Sequence, residues 1–384
     1  MGRTGKSPQN PKTRSGPAAL TALLVRVLLG FGLLTGLPAA PASAEADLPR
    51  TRLQVMGGLA GVSQYTRFEQ PFWAQRLPEL TGGRVTADIA PFDRSGIRGQ
   101  EALRLLRLGV TPFGTALSAV VAPEEPELSA LELPGAAPDI AAHRAVQAAH
   151  RPWLESLLRE RHGTELLAVY TYPAQVIFCA RPFASLADLR GRRIRTSAAA
   201  QSEWVAAIGA VPVVTPFAEI VSAIRNGVVE CAITGTMSGW QIGLNEVTTH
   251  VHAMAISWGL SLFGANTTAW ENLPAALRDL LRRELRDLEA RIWEAADTET
   301  GTGFACLTGT DRCTPDLMET PGGARRTRGR MTLVAVSPAD EALRRRVIED
   351  VVLPRWADRC GVGCVEEWNA RVGAALGLSA PRPR

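Results

Sequence analysis

Apolar and polar positions alternate along "RLQVMGGLAG" from Arg52 to Gly61, a period of two that predicts a strand ending in glycines. "SQYTRFEQPFWAQRLPELTGG" changes to helical spacing closed by glycine, and "RVTADIAPF" returns to a strand. A short helix follows in "GIRGQEALRLLRLGV", with Leu103, Leu106 and the stem of Arg107 at helical spacing. Then come "FGTALSAVVA" and a Pro/Glu-rich loop, "PEEPELSALELPGAAPD". The helix "IAAHRAVQAAHRPWLESLLRERHG" leads into a long strand, "TELLAVYTYPAQVIFCAR". From Ser185 the alternation tightens: a capped turn "SLAD", strand "RRIRTS", helix "AQSEWVAAIGA", strand "VPVVTP", helix "FAEIVSAIRNG" and strand "VVECAITG". A long helix starts near Pro274, with Leu277, Leu281, Leu285, Leu288 and Ile292 on one stripe. Another begins at Ser337, with Asp340 at its third position. Strands and helices alternating at these lengths predict an α/β fold with largely parallel sheets.

The first 44 residues change the reading of charge. A basic leader, the apolar run "LLVRVLLGFGLLTGL" and the small residues "APASA" have the order of an export signal cleaved after Ala44. Its clean apolar part, Val27–Leu37, is short for a membrane span; an uncleaved anchor is the alternative. The formal net charge of +4 belongs to this leader, because without it 37 basic residues face 38 acidic ones. A chain so balanced has no overall electrostatic pull on nucleic acid. About 340 remaining residues exceed one core and predict two domains. Export also favours disulfides. Cys306 with Cys313 and Cys360 with Cys364 are expected to staple local loops, whereas Cys179 and Cys231, inside apolar strands, are expected to be buried free thiols.

Catalytic chemistry is sparse. "GTMSG" places Ser238 fourth rather than third, so it does not encode a nucleophile elbow. His250 and His252 share a strand face, a conceivable metal pair whose simpler reading is a polar strand edge. His143, His150 and His162 are expected at the surface. The sequence has no H-E-x-x-H, P-loop or dinucleotide fingerprint, and no metal, cofactor or catalytic group is assigned. Arg195 is the sharper signal. It ends the strand "RRIR", and carboxyl ends of parallel strands open onto ligand crevices. A guanidinium there can grip a carboxylate with two parallel hydrogen bonds, or it can make an internal salt bridge, for instance with Glu219. Position alone adds Thr215 and Phe217 at the end of the next strand and Trp258 as an apolar wall. Tyr172 and Gln175 lie on a crossover strand, Arg181 offers a second cation, and Gln64 and Tyr65 could reach in from the other side.

Several dispersed elements in this order resemble the extracytoplasmic solute-binding proteins of tripartite ATP-independent periplasmic (TRAP) transporters, the DctP type. They are Asp188, Leu189, Gly191, Ile194 and Arg195; Gly209, Ala210, Pro212 and Val213; and Glu219, Ala223, Ile224, Gly227, Val228, Val229 and Glu230, followed by "TTAWENLPAALRDLL". The resemblance implies a periplasmic-binding-protein-like α/β fold, two lobes around a central cleft with a long helix across both. It also implies a binding protein rather than an enzyme, in the periplasm, delivering an organic acid to one small and one large membrane subunit. Arg195 would pair with the ligand carboxylate. The family's assisting asparagine is absent, and Thr234 or Thr236 would replace it. The lobes are expected to be 45–171 with about 255–285, and 172–254 with about 286–345, with 346–384 as a C-terminal helix and tail. A ligand sensor for a receptor kinase, or a secreted hydrolase using Ser238, is the alternative.

Overall fold

The structure, a computed structural model, describes residues 48–314, 318 and 325–384; the export signal expected over 1–44 lies outside the described residues. The first alternating segment forms β1 (Thr51–Gly57), which runs parallel to β2 (Val85–Pro91) through seven consecutive pairs. Between them a helical segment packs back on the strand. Gly57 makes this possible, because a Cβ there would sit 2.4 Å from the Tyr65 ring. β3 (Phe113–Leu117) pairs parallel to β1 on its other side.

The second half repeats the arrangement. β5 (Arg193–Thr196) lies between β6 (Val211–Val214) and β7 (Cys231–Gly235), parallel to both. Two long antiparallel strands join the units: β4 (Thr164–Cys179) and β9 (Ser257–Asn266), giving the order β2-β1-β3-β9-β4-β7-β5-β6. The short β8 (His250–His252) and β10 (Thr332–Val334) pair at the side. The fold is therefore α/β and two-lobed, with β4 and β9 shared. The helix Ala275–Thr308 spans both lobes. Leu277 through Ile292 bury among β1 and the start of β4, whereas Ala305, Cys306 and Leu307 bury among β7 residues and Trp240.

The structure corrects four expectations. Cys179 and Cys231 are not free thiols but a disulfide, since β4 and β7 put them directly opposite with Cα atoms 4.1 Å apart. Cys306–Cys313 and Cys360–Cys364 are bonded as expected. His143, His150 and His162 are buried, because the helix Ile140–His162 is covered on that face by β4 and the C-terminal helices. His252 is buried too, donated to at Nδ1 by the Met254 amide and 3.4 Å from Asp340, so β8 is no polar edge at that position. The Pro/Glu-rich loop, finally, contributes Leu128, Ala130, Leu131 and Leu133 to the main core. Its apolar alternate positions matter more than its prolines and glutamates.

Candidate functional site

The carboxyl ends of both parallel units face one cavity of about 570 Å³. Residues after β1, β2 and β3 contribute Val62, Asp93 and Val120; those after β5, β6 and β7 contribute Ser197, Phe217 and Ser238. The shared strands supply Tyr172, Gln175, Gly259 and Leu260. A register shift in β4 between Thr171 and Ala174 breaks the pleat, and Tyr172 within it and Gln175 just past it both line the space. The Ser261 hydroxyl donates to the Tyr172 oxygen at 2.9 Å. Gln175 Oε1 accepts from Gln201 Nε2 at 2.7 Å, and Gln201 Oε1 in turn accepts from the Ser197 amide and hydroxyl. The amide facing the cavity is thus held by a network rather than by packing.

Arg195 sits at the centre of the second unit and is 4% exposed. Its Nε donates to the Thr215 carbonyl and its Nη1 to the Ile233 carbonyl, both at 2.8 Å. These bonds fix the plane of the guanidinium against the ends of β6 and β7. No carboxylate among the described residues answers its charge; Glu219 lines the same cavity but makes no ion pair with it. Burial alone pushes its pKa down to about 9, the mark of a cation taken from water without a counter-ion. The neighbouring arginines are spent otherwise. Arg192 donates to the Asp188, Arg181 and Pro182 carbonyls, and Arg193 to those of Gly227 and Val228.

A family model described as bacterial extracellular solute-binding protein, family 7 (DctP), matches residues 63–302. The chain belongs to this family. Its fold is that of known TRAP receptors. The Bordetella pertussis extracytoplasmic solute receptor DctP7, solved with pyroglutamic acid, is 20% identical. The alignment covers 84% of this chain and 99% of that one, with a TM-score of 0.71. A TRAP periplasmic solute-binding protein from Desulfovibrio salexigens, with bound orotic acid, is 17% identical over 84% and 99% with a TM-score of 0.68. One from Desulfovibrio desulfuricans, with bound sn-glycerol-3-phosphate, is 13% identical over 84% and 96% with a TM-score of 0.71.

Within this solute-binding frame, Arg195, Thr215, Phe217, Thr234, Tyr172 and Gln175 come together around the cavity. Five other candidates lie elsewhere. Trp258 donates its indole N–H to the Ala137 carbonyl and stacks on His143 in the core. Thr236 donates to the Glu299 carbonyl, anchoring the long helix. Arg181 pairs with Glu230 at the surface. Gln64 donates to the Thr171 carbonyl at 3.3 Å, and Tyr65 packs beneath Gly57. The sequence reading missed Glu132, Asp93, Ser197 and Gly259, which also line the cavity. Gly259 had a readable signal: a glycine inside an apolar strand marks a close approach, and a Cβ there would meet Gln175 Nε2 at 2.4 Å.

Proposed function

We propose that the protein is the periplasmic receptor of a TRAP-type transporter, capturing an organic acid through Arg195 and presenting the closed complex to a small and a large membrane subunit. One observation carries this: a buried guanidinium, oriented by two carbonyls, faces a cavity and is paired with no carboxylate among the described residues. A carboxylate entering between the lobes would supply that counter-ion and accept from the remaining guanidinium N–H groups. Closure about β4 and β9 would then exclude water from the pair. The anions held by the related receptors, pyroglutamate, orotate and glycerol phosphate, are consistent with a positive site of this kind. Capture rather than turnover is supported by the surroundings of Ser238, since no histidine is among the described residues that line the cavity with it. Trp258 and Thr236 are assigned to the frame in this reading, and Thr234 remains the substitute for the family's asparagine.

The test is a thermal-shift screen of organic acids followed by calorimetry on Arg195→Ala. Truncating one member of a buried charge pair costs roughly 2–5 kcal/mol, or about 30- to several-thousand-fold in affinity. A loss below about threefold, or a screen in which no acid stabilises the protein, refutes the assignment.

A further inference from the structure

Glu132 is the one carboxyl of the Pro/Glu-rich segment that reaches the cavity, and it is more than nine-tenths buried between Leu131 and Leu133. Its Oε2 accepts from the Leu260 amide at 3.0 Å, while Oε1 has no hydrogen-bond partner among the described residues. It also lines an adjoining chamber of about 180 Å³ together with Gln175 and Ser197, so it stands where the two spaces meet. The Ser118 hydroxyl is its other polar neighbour, and Tyr172 on β4 is close enough to sense its charge. The charged groups around the two spaces are Asp93, Arg98, Arg195, Glu219 and Arg359. None of these cations pairs with Glu132: Arg98 is taken by Glu101, Arg359 by Glu203, and Arg195 by its two carbonyls. Glu132 and Arg195 make no ion pair with each other, which leaves each free to address a different part of a bound molecule.

We propose that Glu132 is the second polar contact of the cavity and selects acids carrying a carbonyl or hydroxyl oxygen away from the carboxylate. This rests on the assignment of Arg195 above. An orphaned buried oxygen is costly unless a partner arrives, and a ligand oxygen placed against Oε1 removes that cost. The carboxyl must hold its proton to donate, and burial pushes its pKa up to about 8 against the opposing pull of Ser118 and Leu260. Donation is therefore available at neutral pH and lost as the group ionises.

Calorimetry at pH 6.5 and 9.5 with matched acids tests this, each pair sharing one carboxylate so that any loss of Arg195 charge above pH 9 cancels from the comparison: butyrate and 3-hydroxybutyrate, pentanoate and 4-oxopentanoate, benzoate and 3-hydroxybenzoate. At pH 6.5 an oxygenated acid should bind about tenfold tighter than its plain partner, the effect of one hydrogen bond. For 4-oxopentanoate, whose ketone can only accept, the preference should fall to under about threefold at pH 9.5 as the donor proton is lost, whereas a ligand hydroxyl can turn to donate to the ionised carboxylate. Glu132→Gln, which keeps a donor and cannot ionise, should carry the preference through to pH 9.5. Glu132→Leu should erase it at both. A preference that survives Glu132→Leu, or that falls with pH in Glu132→Gln as in the wild type, overturns the proposal. Binding that depends on Arg195 but ignores the extra oxygen overturns this proposal alone. Failure of all six acids to bind overturns the carboxylate reading and this one with it.

Discussion

An arginine kept for a ligand should cost the empty protein stability, and Arg195→Met measures that cost. Methionine keeps most of the side chain's apolar volume while removing the charge. Burial lowers the guanidinium from its ordinary value to about 9, a shift that at 1.36 kcal/mol per decade disfavours the charged form by about 5 kcal/mol. Two hydrogen bonds to the Thr215 and Ile233 carbonyls recover part of this, roughly 1.5 kcal/mol each for bonds to a charged group. A net of about 2 kcal/mol remains, so Arg195→Met should stabilise the ligand-free protein by about 1–3 kcal/mol, as apolar replacement of buried charge does elsewhere. Urea melts of both proteins without ligand, then with a bound acid, provide the reading. The wild type should gain stability from the acid and the variant should not. If Arg195→Met instead loses more than about 1 kcal/mol when empty, the carbonyl clamp is the arginine's main purpose. The idea of a cation held in reserve then fails.

Two further outcomes concern the frame. Opening the Cys179–Cys231 disulfide by a double Cys→Ala change should cost about 4 kcal/mol for its 52-residue separation, against about 2 kcal/mol for Cys306–Cys313 with its separation of 7. Denaturant melts that reverse this ranking would show that loop closure does not govern these bonds. The buried acids set the alkaline side of stability. Glu69 at about 7 and Glu132 at about 8 keep protons in the folded chain that the unfolded chain has released above about 4.5, so stability falls as pH rises toward 8. His143 at about 3 and His150 at about 4 act oppositely, staying neutral while the unfolded chain binds protons below about 6.5, so they oppose the acids down to about 4.5. Between pH 6.5 and 8 only the acids act, and Glu132→Gln should abolish about 2 kcal/mol of the loss there, followed by urea melts across that range. An unchanged slope would place Glu132 ionised in the fold.

Short apolar runs bounded by turn residues were enough to read the strands of the two parallel units except β3, although burial seldom alternates in them: β7 is buried throughout and both ends of β6 are exposed. Arg195 was legible for a related reason, since a charge at a strand's carboxyl end has a known direction to face. Position failed where tertiary packing outvoted it. Trp258 sits one residue into β9, where the pleat turns its indole toward Ala137 and His143. Tyr172 and Gln175 reach the cavity only through a break in register that no local pattern announces. The pairing of Cys179 with Cys231 depends on β4 and β7 meeting in register across 52 residues. Glu132 hid in a stretch whose prolines and glutamates suggested solvent, although "ALEL" alternates apolar positions around it.

The division of the cavity between fixed and facing parts connects this geometry to selectivity. Tyr172, Gln175, Gly259 and Leu260 lie on β4 and β9, the strands both lobes share, whereas Arg195 belongs to one lobe and Asp93 to the other. Any approach of the lobes removes the remaining water from Arg195 while the floor stays in place. Each increment of closure then raises the penalty on an unpaired guanidinium and strengthens its attraction for a paired carboxylate. In the proposed reading an acid would shift the balance toward the closed form by the difference between those two terms, and a neutral molecule of the same shape would not. Recognition and closure thus draw on one free energy, so a variant that loses the first should lose the second in equal measure.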